Sequence, residues 1–379
     1  MITKARLKVR FFSIRLPMKK ILIDAHEDIA YAAITYNRDY SKSAADIRQV
    51  EQFTDIPQWN GHAMLGYADW QKANVGIIFS TLFVMHKKYQ TGDWEKVVYR
   101  NFQEANLLLQ HQVDYYYRLE GDNPEKFNIL RNNSQYQNHW ERLLNTSQNS
   151  YPIGLVLLLE GAEGLLHPEE IEDWHQKGVR IVGPAWAGGR YSGGMYEPGG
   201  LTNAGRLLLE IMGDLGMGLD IAHMSEQAVY QALDIYEGPI LSSHANAKSL
   251  LFGVDGERHL SDPIIRRIAE RDGVMGVMPY NQFLVANWTK SFAHDKVTLE
   301  HYVNHIDHIC QTTGSANHVA IGTDFDGGFG YPDVPFELLS IGDLPKLEAI
   351  LTTRGYNQDE ISSIFAMNWK RILDRIFSK

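Results

Sequence analysis

Cysteine is almost absent from this 379-residue chain, which contains Cys310 alone. A single thiol cannot close a disulfide within the chain, and it cannot supply the thiolate clusters that hold structural zinc. Any metal ion must therefore be bound mainly by nitrogen and oxygen ligands. The low cysteine content is also typical of a reducing compartment, so we expect a cytoplasmic protein.

A surplus of positive charge is missing as well. The sequence has 36 Lys and Arg against 46 Asp and Glu, which gives a formal net charge of −10. Because nucleic-acid binding depends on a basic surface, we expect no nucleic-acid partner. No apolar run approaches the ~20 residues of a membrane span, so we also expect no membrane partner.

The N-terminus lacks the features of a secretion signal. Its basic segment is interrupted by Lys8, Arg10 and Arg15, whereas a secretion signal needs an unbroken apolar stretch. We interpret residues 1–20 as an N-terminal extension, disordered or preceding the true start. We expect residues 21–379 to form a single domain.

What the sequence does contain is one alternation that runs to its end. Short apolar, β-branched segments are each followed by a longer helical segment, a pattern typical of parallel βαβ units. Eight such units predict an α/β fold, a closed (β/α)₈ barrel of the TIM type, with an open doubly wound sheet as the alternative. The predicted strands are 21–25, 75–84, 153–159, 179–185, 217–222, 240–243, 274–279 and 318–323.

Two connections in this pattern are unusual. The one after the second strand, from residue 93 to about 150, includes helical stretches at 97–119 and 140–144, and predicts a helical insertion on the barrel. The one after the fourth strand is glycine-rich at 188–200 but lacks the ending of a phosphate-binding loop. We interpret it either as a mobile loop over the barrel mouth or as a surface loop without a role.

Polar residues follow several predicted strands, at the end of the barrel where chemistry is usually found. His26 and Asp28 follow the first strand, and their spacing of two allows both side chains to face one metal ion. Glu160 follows the third strand, and His223 and His244 end the fifth and sixth. Each could have an ordinary structural role alone, but five nitrogen or oxygen ligands at one barrel mouth favour a metal site.

Acids after the eighth strand are candidates for proton transfer. Asp324 is placed to act as a general base beside metal ions, and Asp326 competes because it lies two residues further on. Among the carboxylates, Glu160 is the natural bridge of a two-metal site. Nitrogen and oxygen ligands suit Zn²⁺, with Mn²⁺, Co²⁺ or Ni²⁺ as possible substitutes.

These stretches together resemble the renal (membrane) dipeptidase family, peptidase family M19, in its bacterial branch. The resemblance extends from about Leu22 to the C-terminus. The matching motifs are D-A-H-E-D at 24–28, L-E-G at 159–161, L-D-I-A-H-M-S at 219–225, S-S-H at 242–244, R-H-L-S-D at 258–262 and G-T-D-F-D-G at 322–327. The order and spacing of these motifs, rather than any one of them, make the resemblance specific.

The resemblance implies a binuclear zinc site. One ion would be bound by His26, Asp28 and a bridging Glu160, and the other by Glu160, His223 and His244. A hydroxide bridging the two ions would attack the carbonyl of a dipeptide. The family also implies a homodimer.

The resemblance further assigns roles around the metals. Asp324 would take the proton from the attacking water and pass it to the leaving amine. Arg258 would pair with the terminal carboxylate of the substrate, a task that suits a bidentate guanidinium.

One position departs from the family pattern. Well-known members carry a substrate-contacting His after the fourth strand, where this chain has Trp186. An indole can donate one hydrogen bond but cannot bind a metal ion or act as an acid or base. Trp186 therefore leaves two rivals open: another amide or lactone hydrolase of the metal-dependent barrel superfamily, and a barrel that binds metal or ligand without catalysis.

Overall fold

The computed structural model describes residues 20–145, 150–254 and 256–379, so the predicted N-terminal extension lies, except for Lys20, outside the described residues. The strands in the described part are β1 (Leu22–Glu27), β2 (Val75–Phe83), β3 (Met85–His86), β4 (Val98–Tyr99), β5 (Phe127–Ile129), β6 (Ile153–Glu160), β7 (Val179–Gly183), β8 (Gly218–Asp220), β9 (Ile240–Ser242), β10 (Val274–Val277) and β11 (Val319–Ile321).

Helices alternate with these strands. They are α1 (Ile29–Tyr36), α2 (Ala44–Glu51), α3 (Ile56–Asn60), α4 (Tyr67–Ala73), α5 (Phe102–Asp122), α6 (Asn133–Leu144), α7 (Ile171–Gln176), α8 (Asn203–Asp214), α9 (Glu226–Ile235), α10 (Asp262–Glu270), α11 (Asn281–Leu284), α12 (Leu299–Thr313), α13 (Leu347–Thr353), α14 (Gln358–Ser362) and α15 (Asn368–Ile376). Among the described residues, no helix combines the length and the apolar character needed to cross a membrane.

Eight parallel strands form the central barrel, in the order β1-β2-β6-β7-β8-β9-β10-β11. The last strand returns to the first through a parallel bridge between Glu27 and Phe325, and the backbone N–H of Asp324 donates to His26 O at 3.0 Å. Every residue of β2 and β6 is buried, because helices cover the outside of the sheet and side chains fill its interior. The predicted closed barrel is confirmed, with all eight predicted strands present.

The insertion after the second strand contains α5 and α6, as expected, but also two short strands that were not predicted. β4 occupies the start of the stretch predicted as helical, and β5 pairs in parallel with the start of β6. Strands of two and three residues are too short to give a recognisable alternation in the sequence.

Ser225 can be expected from its type to cap the N-terminus of α9, but the structure shows otherwise. The helix begins after Ser225, but the Ser225 side chain makes no capping hydrogen bond. Its hydroxyl donates instead to the carbonyl of Gly199, in the glycine-rich connection. Gly194 of the same connection forms a bridge with Met224, which attaches this connection to the barrel mouth.

Candidate metal centre

The ends of four barrel strands bring the five predicted ligands together. His26 lies in β1 and Asp28 directly follows it, Glu160 is the last residue of β6, and His223 and His244 follow β8 and β9. All five are buried. His223 has a φ of 67°, in the left-handed region that non-glycine residues seldom adopt and that is enriched at active sites.

Glu160 lies at the centre of this group. Its Oε2 is 3.2 Å from His26 Nε2, and its Oε1 is 3.0 Å from His223 Nε2 and 3.8 Å from His244 Nε2. The two oxygens thus face different imidazoles, as a bridging carboxylate requires. The predicted bridging position of Glu160 agrees with this geometry.

The carboxylates of Asp28 and Asp324 also lie at the candidate metal centre. The ligand atoms of His26, Asp28 and Glu160 lie within 4.8 Å of one another, as do those of two further groups. These groups are Glu160, His223 and His244, and His26, His244 and Asp324. Thr81, on β2, donates from its hydroxyl to Asp28 Oδ1 and so orients this side chain.

A glycine is required beside these acids. A Cβ at Gly327 would meet Asp324 Oδ1 at 2.2 Å and Asp28 Oδ2 at 2.6 Å, distances that no real side chain tolerates. Any larger residue at this position would therefore displace at least one of the two carboxylates.

Hydrogen bonds on the far side of the imidazoles determine their tautomers. Ser243 Oγ donates to Asp220 Oδ2 at 2.6 Å, and therefore accepts from His26 Nδ1, at 3.1 Å, and from His244 Nδ1, at 2.8 Å. His223 Nδ1 lies 3.2 Å from Met195 Sδ, a weak acceptor. With a proton on each Nδ1, the three Nε2 atoms present lone pairs to the centre.

The arrangement of nitrogen atoms fits bound cations. His223 Nε2 and His244 Nε2 are 2.8 Å apart, and burial lowers the pKa of His223 to about 4 and that of His244 well below its ordinary value. When both nitrogens are unprotonated, as metal ligands must be, their lone pairs repel each other at this distance, and a cation bound by both relieves the repulsion. In addition, the buried Nε2 of His26 has no hydrogen-bond partner in the described part of the chain.

The charge of His26 is linked to that of Glu160. Burial lowers the pKa of His26, but the nearby Glu160 carboxylate raises it, to about 10. Burial likewise raises the pKa of Glu160, but His26 and His223 outweigh this effect and hold the pKa below its ordinary value. Since a metal ion requires the neutral imidazole, its binding here releases a proton.

Asp326 does not point toward the metal centre. Its carboxylate lies 3.2 Å from the Arg38 guanidinium, and it accepts hydrogen bonds from Tyr40 at 2.9 Å and from the Met64 N–H at 2.8 Å. Asp324 Oδ1, by contrast, lies 3.9 Å from His26 Nε2. Burial raises the pKa of Asp324 well above its ordinary value, which makes this carboxylate a stronger base than an ordinary aspartate.

Arg258 lies half-buried beside the centre, without an acidic partner among the described residues. Its Nη1 donates to His244 O at 2.9 Å, and the guanidinium lies 5.3 Å from the centre of the Phe283 ring. Within the described residues it forms no ion pair, so its other N–H groups can bind an external anion.

The centre opens into a cavity of about 800 Å³ with largely aromatic walls. Trp186 forms part of one wall, where its ring lies 5.3 Å from that of Phe83, 5.4 Å from that of Tyr196 and 5.9 Å from that of His223. Met195 and Tyr196 come from the glycine-rich connection, so part of this connection lies at the cavity, which favours the first of its two interpretations, a loop over the barrel mouth.

Several residues of the site were not predicted from the sequence. Ser243 and Asp220 occur inside recognised motifs, but their contact depends on how β8 and β9 are placed side by side. Tyr31, Trp94 and Glu95 line the cavity from the start of α1 and from the connection after β2. Their positions carry no short motif, and aromatic residues at such spacings are more often part of a core.

Comparison with known proteins agrees with this geometry. The family model of membrane dipeptidase (peptidase family M19) matches residues 12–378. A Klebsiella pneumoniae protein, named as an uncharacterized protein in the pqqA 5′ region, is 30% identical over 237 residues, covering 60% of this chain and 83% of that protein. An uncharacterized dipeptidase of Schizosaccharomyces pombe is 34% identical over 173 residues, covering 46% of this chain and 39% of that protein.

Solved structures share the fold. A metallo peptidase from Rhodobacter sphaeroides, liganded with a phosphinate mimic of the dipeptide L-Ala-D-Ala, superposes with a TM-score of 0.75 at 20% identity. The superposition covers 94% of this chain and 99% of that one.

Proposed function

The chain belongs to the membrane dipeptidase family, peptidase family M19, and we propose that it hydrolyses dipeptides with the help of two divalent metal ions. The observation that carries this proposal is the position of Glu160, whose two oxygens face His26 at 3.2 Å and His223 at 3.0 Å. A carboxylate between two sets of ligands is the usual device of a two-metal hydrolase.

The proposed ligands divide into two sets that share Glu160. His26 and Asp28 would bind one ion with it, and His223 and His244 the other. Three imidazoles and two carboxylates, without a thiolate, suit Zn²⁺ best, and Mn²⁺, Co²⁺ or Ni²⁺ can substitute. When bound, such ions would lower the pKa of a coordinated water toward ~7 and would polarise the scissile carbonyl.

Asp324 is proposed as the proton-transfer group. It lies beside His26, and its raised pKa favours acceptance of a proton from the attacking water. The same carboxyl group would then donate this proton to the nitrogen of the leaving amine as the peptide bond breaks.

Arg258 is proposed to select short substrates. A guanidinium without an acidic partner can pair with the C-terminal carboxylate of a substrate. The peptide bond next to that carboxylate is then near the metal centre. The cavity of about 800 Å³ has room for a dipeptide but not for a folded protein.

A second candidate function rests on Trp186. Where the family's well-known members have a His that contacts the substrate, this chain has an aromatic wall. This difference favours, as the alternative, hydrolysis of another amide or of a lactone at the same metal centre.

The decisive experiment measures metal content and hydrolysis together. We expect about two equivalents of metal per chain, and cleavage of dipeptides that is lost on chelation and restored by Zn²⁺. The panel should include L,L- and L,D-dipeptides, N-acyl amino acids and lactones. Binding of two ions with cleavage of N-acyl amino acids or lactones but not of dipeptides would favour the alternative function. A chain that takes up no metal would contradict both proposed functions.

A matched pair of variants locates the activity. Glu160→Gln should lose metal and hydrolysis, because it removes the shared charge. Glu163→Gln should retain metal and hydrolysis. Glu163 is a buried acid that follows Glu160 in the chain, but it belongs to none of the candidate ligand groups.

A further inference from the structure

One end of the cavity combines aromatic rings with a buried acid. Trp59 and Trp94 stack with ring centres 5.3 Å apart, and the Tyr36 ring lies 5.7 Å from that of Trp94. Glu95 follows Trp94 in the chain and lines the same cavity, as does Tyr31.

Glu95 has no cationic partner in contact with it. Its carboxylate accepts hydrogen bonds from the N–H and the hydroxyl of Thr91, both at 3.0 Å, and the Tyr31 hydroxyl is a further neighbour. Among the described residues it forms no ion pair, although the more distant Lys87 acts on it through space. A buried carboxylate that lacks a counter-ion is unfavourable unless a ligand supplies one.

The barrel places this acid opposite Arg258. Glu95 lies in the connection after β2, and Arg258 in the connection after β9. These strands are second and sixth in the ring of eight, so they stand on opposite sides of the metal centre. A dipeptide whose carboxylate binds Arg258 therefore extends its N-terminal residue toward Glu95.

We propose that this end of the cavity is a subsite for an N-terminal residue with a cationic side chain, lysine or arginine, which pairs with Glu95 between the aromatic rings. This inference rests on the proposed dipeptidase function. The chemistry is that of organic-cation recognition, in which aromatic faces and one carboxylate replace the hydration of an ammonium or guanidinium group.

The α-ammonium of the substrate is a poorer candidate for Glu95. It is attached to the carbon next to the scissile carbonyl, and so it stays beside the metal centre near Asp28. Tyr31 forms a hydrogen bond with Glu95 but interacts with Asp28 only through space, so we place Glu95 further from the centre than Asp28. A long basic side chain can extend past Tyr31, whereas the α-ammonium cannot.

The other acids on the cavity wall are placed differently. Glu257 is next to Arg258 in the chain, at the end of the cavity where the substrate's carboxylate would bind, and accepts a hydrogen bond from the Glu226 N–H at 2.6 Å. Asp28, Glu160 and Asp324 belong to the candidate metal centre. Glu95 is therefore the acid of this cavity that best fits a cationic side chain.

The test compares two dipeptides that differ only in the terminal ammonium of the side chain. Lysyl-alanine and norleucyl-alanine share the α-ammonium, the scissile bond and the carboxylate. We expect the wild-type, metal-loaded protein to favour lysyl-alanine in kcat/KM by roughly ten- to a hundredfold, the worth of one charge-assisted hydrogen bond. Equal rates for the two dipeptides would overturn the proposal without a need for any variant.

Glu95→Gln then identifies the group responsible. It should remove the preference for lysyl-alanine and leave the norleucyl-alanine rate within about twofold. Glu197→Gln changes the net charge equally at an exposed acid that pairs with Lys88, and it should keep the preference. If Glu95→Gln lowers kcat/KM equally for both dipeptides, Glu95 stabilises its own loop or binds the α-ammonium, and the proposal of a cationic subsite is contradicted. If the wild type cleaves neither dipeptide, the dipeptidase proposal itself fails.

Discussion

Ser243 Oγ lies 2.6 Å from Asp220 Oδ2, and this one hydrogen bond determines the tautomers of two imidazoles at the metal centre. Because the single hydroxyl proton is given to Asp220, Ser243 can only accept from His26 and His244. Both imidazoles then carry their proton on Nδ1 and present Nε2 to the centre. Such partners of metal ligands orient the ring and raise its basicity.

Ser243→Ala is expected to weaken both proposed metal sites at once. His26 and His244 belong to different ligand sets, so the loss of their shared acceptor should lower the affinity for each ion by roughly ten- to a hundredfold. Titration with Zn²⁺ and a competing chelator measures the dissociation constants of the two ions. Ser242→Ala is the matched control, because Ser242 Oγ is buried without a hydrogen-bond partner. Weakening of only one ion would show that the two imidazoles are held independently.

The role of Ser243 shows where sequence reasoning ends. The motif around His244 was recognised and this residue was expected at the mouth of the barrel, where it lies, because strand ends converge there whatever the loops do. The hydrogen bonds of Ser243, however, join β1, β8 and β9, and no spacing along the chain encodes which side chains meet across three strands. The same limit applies to Thr81, which orients Asp28 from the neighbouring strand.

Asp324→Asn should lower kcat by about a hundred- to ten-thousandfold, the usual worth of a general acid–base group. The amide keeps the shape of the side chain but cannot carry the proton from water to the leaving amine. Metal content should remain near that of the wild type, since the two ligand sets built around Glu160 do not include this residue. If Asp324→Asn lost metal as well, Asp324 would be a ligand, as its place in one candidate group allows.

Asp326→Asn should affect stability rather than the chemical step. Its carboxylate pairs with Arg38 inside the protein, and its removal leaves this buried guanidinium with Glu51 as the remaining acidic partner among the described residues, so we expect a loss of about 1–3 kcal/mol. Denaturant unfolding of the metal-loaded variant measures this loss. A fully stable but inactive Asp326→Asn would reverse the assignment of the two acids.

Arg258→Ala should raise KM for a dipeptide by roughly ten- to a hundredfold, because one charge-assisted pair is lost. The C-terminal amide of the same dipeptide lacks the carboxylate, so the wild type should cleave it poorly and the variant should cleave it no worse. Arg258→Lys should recover only part of the loss, since a lysine cannot form the bidentate pair. Equal losses on the acid and the amide would indicate a structural role through the His244 carbonyl instead.

Trp186→Ala should raise KM for dipeptides with large side chains by about tenfold, because an apolar wall of the cavity is removed. Trp186→Phe retains an aromatic wall but lacks the indole N–H, and it should keep kcat within about threefold. A large fall in kcat for Trp186→Phe would mean that the indole N–H stabilises the reacting carbonyl. That result would give this position the task of the family's His.

Most walls of the cavity could not be predicted from the sequence, whereas the proposed ligands could be placed at the barrel mouth. Each proposed ligand lies at the end of a strand or just after it, and the apolar pattern of these strands is visible, so the fold itself positions these residues. Glu95 and Trp94 instead lie on the connection after β2, where the path of the chain depends on packing between loops. Their proposed role depends on their contact with side chains of α1, and no periodic pattern in the sequence predicts this contact.

His139→Gln should reduce the acid sensitivity of the fold. His139 is buried, Nε2 lies 2.9 Å from Gly76 O, and burial lowers the pKa to about 4. The unfolded chain has an ordinary pKa near 6.5, so the folded state binds this proton less tightly. The contribution of His139 to the free energy of unfolding is therefore fully present above about pH 6.5. It is lost as the pH falls toward 4, by on the order of 3 kcal/mol.

Glutamine can keep the hydrogen bond to Gly76 O but does not titrate. Free energies of unfolding for the two proteins at several pH values give the contribution of His139 by difference, and acid-driven metal release cancels because both proteins share it. The variant should lose less stability than the wild type between pH 6.5 and 4, whatever its stability at neutral pH. Parallel curves would mean that His139 is already able to accept a proton in the folded state, through an opening of the contact between α6 and β2.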